Sequence, residues 1–193
     1  STIVGYNSPG ATRLAFAEEE AYRVASLANG RALTGPSPKK DSLFEEGPDC
    51  CFLHVSCHGA FDPENPLASS LHLAEDEILT AMDVIGRLRL SCDLVTLSAC
   101  ESGLSRVRRG DELEGLVRAF LHAGARALVS TLWRVDERST LMLMEKFYRQ
   151  LLAGADPAEA LATAQLYLRN EPEFADPFYW APFILVGRRP LRA

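Results

Sequence analysis

Cys51-Phe52-Leu53-His54-Val55-Ser56-Cys57-His58-Gly59 and Leu94-Val95-Thr96-Leu97-Ser98-Ala99-Cys100-Glu101-Ser102-Gly103 are built alike. Each holds a short apolar run rich in β-forming residues, 51–57 and 94–99, that stops at a reactive side chain and a loop. Runs that are apolar at nearly every position, rather than at every second one, mark strands covered on both faces, as in a parallel sheet sandwiched by helices. Neighbouring strands lie about 4.8 Å apart. If these two are adjacent and parallel, the imidazole of His58 and the sulfur of Cys100 emerge over the same sheet edge. A thiol of pKa ~8.5 is scarcely ionised at neutral pH, and an imidazole of pKa ~6.5 beside it can move protons there. The pairing reads as a nucleophile with its acid/base partner, the chemistry of a cysteine hydrolase.

Working outward, Ile3–Tyr6 reads as a first strand, and residues 15–28 carry Ala17, Ala21, Val24, Ala25 and Ala28 at helical spacing before Asn29-Gly30 stops the helix. Arg31–Leu33 reads as a second strand, and Pro36-Ser37-Pro38 opens a short helix or turn. Turn chemistry in Phe61-Asp62-Pro63-Glu64-Asn65-Pro66 precedes Leu71-His72-Leu73 and Ile78-Leu79-Thr80, so 61–92 reads as a hairpin excursion. Asp111-Glu112-Leu113-Glu114 has the spacing of a capping box, and Leu113, Leu116, Val117, Phe120 and Leu121 follow on one helical face. Ala127–Leu132 is the next strand, Ser139 is expected to cap a helix carrying Met144, Phe147 and Tyr148, and Asp156-Pro157-Ala158-Glu159 starts another helix to about Arg169. Phe183–Gly187 closes the chain as a strand. This alternation predicts a three-layer α/β sandwich in one domain over residues 1–193, with a mostly parallel central sheet and helices on both faces.

At 193 residues with 47% apolar side chains, the chain can bury one substantial core. Its net charge of −6 argues against a nucleic-acid partner, since phosphate binding needs clustered cations. No apolar run approaches the ~20 residues of a membrane span, and Ser1-Thr2-Ile3-Val4 lacks the zones of a signal peptide. The missing initiator Met and the immediate entry into a strand read as a chain excised from a longer protein, with upstream sequence absent. Five cysteines, without the spacing of a secreted disulfide framework, point to the reducing cytoplasm. Strand alternation sends Cys50, His54 and His58 to one face and Cys51 and Cys57 to the other, and no C-x-x-C pair supports zinc, so neither a metal nor a cofactor is expected. Cys50, Cys51 and Cys92 read as buried thiols, His54 as a core residue or a support beneath the site, and His72 and His122 as structural. A nucleotide-binding module would need a glycine-rich loop after the first strand, which Tyr6-Asn7-Ser8-Pro9-Gly10 is not.

Six ordered segments resemble the CHAT domain, a bacterial relative of caspases, separase, gingipains, legumain and metacaspases. They are His54–Gly59, Leu97–Gly103, Gly110–Leu116, Phe120–Ala125, Leu132–Asp136 and Tyr179–Phe183. Cys57 stands where the family more often shows a hydroxyl residue. The resemblance implies a caspase-like fold, peptide-bond hydrolysis by Cys100 and His58 without a cofactor, and attachment to a helical-repeat region, in the same or a partner chain, that gates the peptidase.

The family layout also implies an oxyanion site from the backbone N–H groups of Gly59 and Cys100, and an extended protein or peptide substrate laid beside Thr131, Leu132, Trp133, Arg134 and Val135. Asp136, Glu101 or Asp62 would favour a basic residue before the scissile bond, while Ser98 occupies the place where metacaspases carry an acid. With a basic preference, the loop holding Arg106, Arg108 and Arg109 becomes a self-cleavage site. The competing reading is a catalytically silent scaffold or signalling domain of the same fold.

Overall fold

A computed structural model of the chain describes residues 1–7, 14, 16–62, 64–101 and 114–187, and strands alternate with helices through them. In chain order come β1 (Thr2–Gly5), α1 (Ala17–Ala28), β2 (Arg31–Leu33), α2 (Lys40–Glu46) and β3 (Phe52–Ala60). A hairpin of β4 (Ser70–His72) and β5 (Ile78–Thr80) follows, then α3 (Ala81–Arg87), β6 (Leu94–Glu101) and α4 (Glu114–Ala123). The remainder is β7 (Ala127–Thr131), α5 (Glu137–Leu152), α6 (Pro157–Asn170), the short α7 (Pro177–Trp180) and β8 (Phe183–Gly187). The sheet order is β2-β1-β3-β6-β7-β8, with the β4–β5 hairpin attached to the end of β3. Every pairing along that path is parallel except β7 with β8.

The near-continuous apolar strands are explained by what covers them. Val4, Leu53, Val55, Cys57, Val95 and Leu97 pack with Leu43 of α2, Val84 of α3 and Phe120 of α4 on one face. Ile3, Leu94, Ala127 and Val129 pack with Val24 of α1, Phe147 of α5 and Ala164 of α6 on the other. Alternate residues of each strand therefore meet different helical layers.

Two glycines allow close approach at the layer boundaries. A Cβ at Gly5 would stand 2.5 Å from both Ala17 O and Ala21 Cβ, so only glycine lets the first turns of α1 lie on the end of β1. A Cβ at Gly115 would collide with the Pro66 carbonyl, where the start of α4 rests on the turn before β4.

The expected architecture is present, with local differences. Asp136, not Ser139, is the N-cap of α5: its Oδ1 accepts the Ser139 N–H at 2.8 Å, and the Ser139 hydroxyl turns back to the Asp136 carbonyl at 2.9 Å. The region 61–92 contains a hairpin and also α3, which the sequence reading left inside the excursion; Thr80 and Asp83 close a reciprocal cap on it at 3.0 and 3.1 Å. Cys50 packs with Cys57 rather than on the His54 face, because strand alternation begins only at Phe52 and the helical turn Gly47–Asp49 re-aims the residue before it. Cys51 is exposed, against the expectation of a buried thiol. The expected cap at Asp111 lies outside the described residues.

Gly5→Val should lower the urea midpoint, by the equivalent of about 1–3 kcal/mol for overpacking. Gly86→Ala is the control: its Cβ would meet nothing within 4 Å, and replacing a helical glycine should stabilise by roughly 0.5–1 kcal/mol.

Candidate active site

β3 and β6 are in register over eight pairs, from Phe52 opposite Leu94 to Gly59 opposite Glu101, and within this ladder His58 is the partner of Cys100. The parity of the ladder puts positions 54, 56 and 58 of β3 and 96 and 98 of β6 on the face covered by α1 and α5. His58 is 7% exposed at the carboxyl end of its strand. Two positions below it, Ser56 and Ser98 line a small cleft together with Glu20, Val135 and Glu137. The cleft continues outward past Arg134, Asp136 and Phe178. The Phe16 N–H donates to Glu137 Oε2 at 2.9 Å and ties the start of α1 to the start of α5 across this opening.

Beneath the cleft runs a buried polar chain. His54 Nε2 lies 2.8 Å from Glu20 Oε1, Tyr148 Oη lies 3.3 Å from His54 Nδ1, and Tyr148 Oη lies 3.0 Å from Thr96 Oγ1. With a carboxylate accepting at Glu20, one arrangement satisfies every link: His54 Nε2–H donates to Glu20, Nδ1 accepts from the Tyr148 hydroxyl, and Tyr148 accepts from Thr96. Burial pushes the Tyr148 phenol up, and the bond with Thr96 only partly opposes it. The Tyr148 ring stands edge-on to His54, with centroids 5.6 Å apart. The chain joins α1, β3, β6 and α5 directly under the paired positions, so His54 is a structural support of the site.

The other anticipated residues separate into groups. Gly59 is paired with Glu101 on one side and Leu71 on the other. Thr131 is buried at the end of β7 opposite Phe183, whereas Leu132 and Trp133 are exposed and the Trp133 Nε1–H donates to the Phe178 carbonyl at 3.1 Å. Asp136 spends a carboxylate oxygen on the α5 cap, and Asp62 spends one on the Glu64 and Asn65 N–H groups, each at 2.9 Å. Arg106, Arg108 and Arg109 lie outside the described residues. Among the described residues no group of side chains is placed to hold a metal. Glu20, Ser56 and Glu137 were missed by sequence reasoning. A signal existed for Glu20: it shares the inward helical face of Ala17, Ala21 and Val24, although the run Glu18-Glu19-Glu20 looks like a solvated first turn.

The family model for the CHAT domain matches residues 6–188 of the chain. The chain belongs to the CHAT-domain family. Tetratricopeptide repeat protein 28 of Mus musculus is 28% identical over 208 residues, covering 89% of this chain and 8% of that protein, and its Homo sapiens counterpart is 27% identical with the same coverage. This CHAT domain thus spans about 8% of the length of those curated relatives. Among solved structures, the Saccharomyces cerevisiae separase–securin complex superimposes with a TM-score of 0.61 at 12% identity, over 97% of this chain and 12% of that one. The Arg-specific cysteine proteinase gingipain R does so with a TM-score of 0.57 at 10% identity, over 96% of this chain and 45% of that one. At such identities the likeness establishes a caspase-like fold.

Tyr148→Phe removes the hydroxyl that links Thr96 to His54 and should destabilise the domain by about 1–3 kcal/mol in urea unfolding at neutral pH. The folded state holds the phenolic proton above the ordinary value of ~10 at which the unfolded chain releases it. The stability this proton contributes is therefore present below that pH and lost as pH rises past it. The alkaline decline should be shallower in Tyr148→Phe than in the parent.

Proposed function

We propose that this CHAT domain is a cysteine endopeptidase with Cys100 as nucleophile and His58 as acid/base. What supports the reading most is the register partnership of these two residues at the carboxyl ends of adjacent central strands, with an open cleft on the same face. The Cys100 thiolate attacks the scissile carbonyl carbon, His58 gives its proton to the departing amine, and a thioester forms. Water then attacks the thioester carbonyl while His58 takes the water's proton, which releases the acid and restores the thiol–imidazole pair. The backbone N–H groups of Gly59 and Cys100 receive the developing oxyanion, and preorganised donors of this kind contribute ~3 kcal/mol each. No step calls for a cofactor.

The substrate lies as an extended protein segment along residues 131–136, where Leu132 and Trp133 present apolar surface and Arg134 a charge. Glu20, Glu137 and Asp136 line the cleft and its outward continuation, and they are the acids a basic side chain before the scissile bond would meet. The whole chain acts as one domain, and a helical-repeat region in the same or a partner chain controls it, as the name of the relatives suggests. Cys50 and Cys92, buried as thiols, suit a reducing compartment such as the cytoplasm. No helix among the described residues is long and apolar enough to cross a membrane.

Peptidyl acyloxymethyl ketones test the reading. The expected result is covalent labelling of the parent, faster with arginine than with aspartate next to the warhead, and none in Cys100→Ala. Labelling that Cys100→Ala retains, or none at any repeat-domain concentration, would favour the silent-scaffold reading. Intact mass of the parent against Cys100→Ala tests self-cleavage at Arg106, Arg108 or Arg109: a shorter species is expected in the parent alone.

A further inference from the structure

His72 was expected to be structural, yet the sheet brings it to the site. β4 pairs with β3 antiparallel, with Gly59 opposite Leu71 and Ala60 opposite Ser70; one step further along this register His72 stands beside His58. On its other side His58 is partnered by Cys100. Three titratable positions thus stand abreast across β6, β3 and β4, at strand spacings of about 5 Å.

The faces agree. Leu71 and Leu73 point into the core formed with α2, α3 and α4, so the intervening His72 belongs to the opposite face, which is the face of His54 and His58. There it is half-buried. On β5 its partner is Ile78, which carries no charge. The nearby acids are engaged elsewhere: Glu77 accepts the Lys40 N–H at 2.7 Å, and Asp83 binds Lys40 Nζ at 2.9 Å. Glu75 pairs with Lys39 Nζ at 2.7 Å, and among the described residues the charge that acts on His72 is that of His58. Burial pushes the His72 imidazole below its usual value, and charge on His58 pushes it further the same way.

We infer that His72 is a positioning residue for His58: neutral, it leaves His58 able to carry the imidazolium of the reactive pair, and protonated, it drives His58 back to the neutral imidazole. This inference rests on the dyad reading above. The proton balance is simple. In the reactive state the Cys100 proton resides on His58. A cation at position 72 lies one strand from that imidazolium and two strands from the thiolate, so repulsion exceeds attraction and the proton returns to sulfur. With Coulomb energies falling as the inverse of distance, the net effect on the ion-pair population is roughly ten- to twentyfold at the effective dielectric of a protein surface. His72 would thus set the acidic limit of the site rather than touch substrate.

The test is the pH dependence of iodoacetamide alkylation at Cys100, followed by mass spectrometry of the Cys100 peptide, which needs no known substrate. His72→Gln should move the acidic limb to lower pH. His72→Lys, a permanent cation, should slow alkylation at neutral pH roughly ten- to twentyfold. Circular dichroism and urea midpoints identify any variant that is merely misfolded, and the two substitutions act in opposite directions, which a packing defect would not. If both variants keep the parent profile while His58→Ala changes it, the inference is overturned and the dyad stands. If His58→Ala also keeps the parent profile, the dyad reading falls and this inference with it.

Discussion

Eight consecutive parallel pairs between β3 and β6 are the constraint on which the site depends. A shift of one residue in either strand would move every second side chain to the other helical layer. His58 would then leave the face of the cleft for the core that holds Val55 and Cys57. The register is secured because both faces are specified at once: Val55 and Leu97 belong to one apolar layer, and His54 and Thr96 to a polar chain under the other. The placement of His58 opposite Cys100 is thus a by-product of burial, set several residues away from that pair.

The polar chain beneath the cleft carries a cost that packing alone would avoid, since buried polar groups destabilise unless each finds a partner. Glu20, His54, Tyr148 and Thr96 satisfy one another and draw together two helices and two strands. An apolar replacement of the same volume could be as stable, but it would not direct which helix meets which strand. The tether from Phe16 N–H to Glu137 extends the same logic to the cleft mouth.

The strands, their order of alternation with helices and the location of positions 58 and 100 at strand ends were legible because each depends on local periodicity. What was not legible depends on contacts between segments distant in the chain. Glu20 looks solvated until α1 is laid on the sheet, and Glu137 reaches the cleft only because α5 begins at Asp136 rather than at Ser139. Both are acceptable caps in sequence, and tertiary placement chooses between them. His72 resisted for the same reason: its significance comes from an antiparallel register that a turn of uncertain length sets. Cys50 shows the opposite error, where alternation was extended past the point at which the strand begins.

Coverage of the inner strands by helices on both sides has a consequence for descent. Such positions ask only for apolar character and suitable volume, and many combinations of Val, Leu, Ile, Ala and Phe meet that demand. Two chains can therefore differ at most interior positions and keep the same frame, and this chain and gingipain R are alike in shape at 10% identity. What such drift conserves is an alphabet class at each position. A glycine pressed against a helix, as at Gly5, has no such latitude, because any side chain would strike the backbone it packs on.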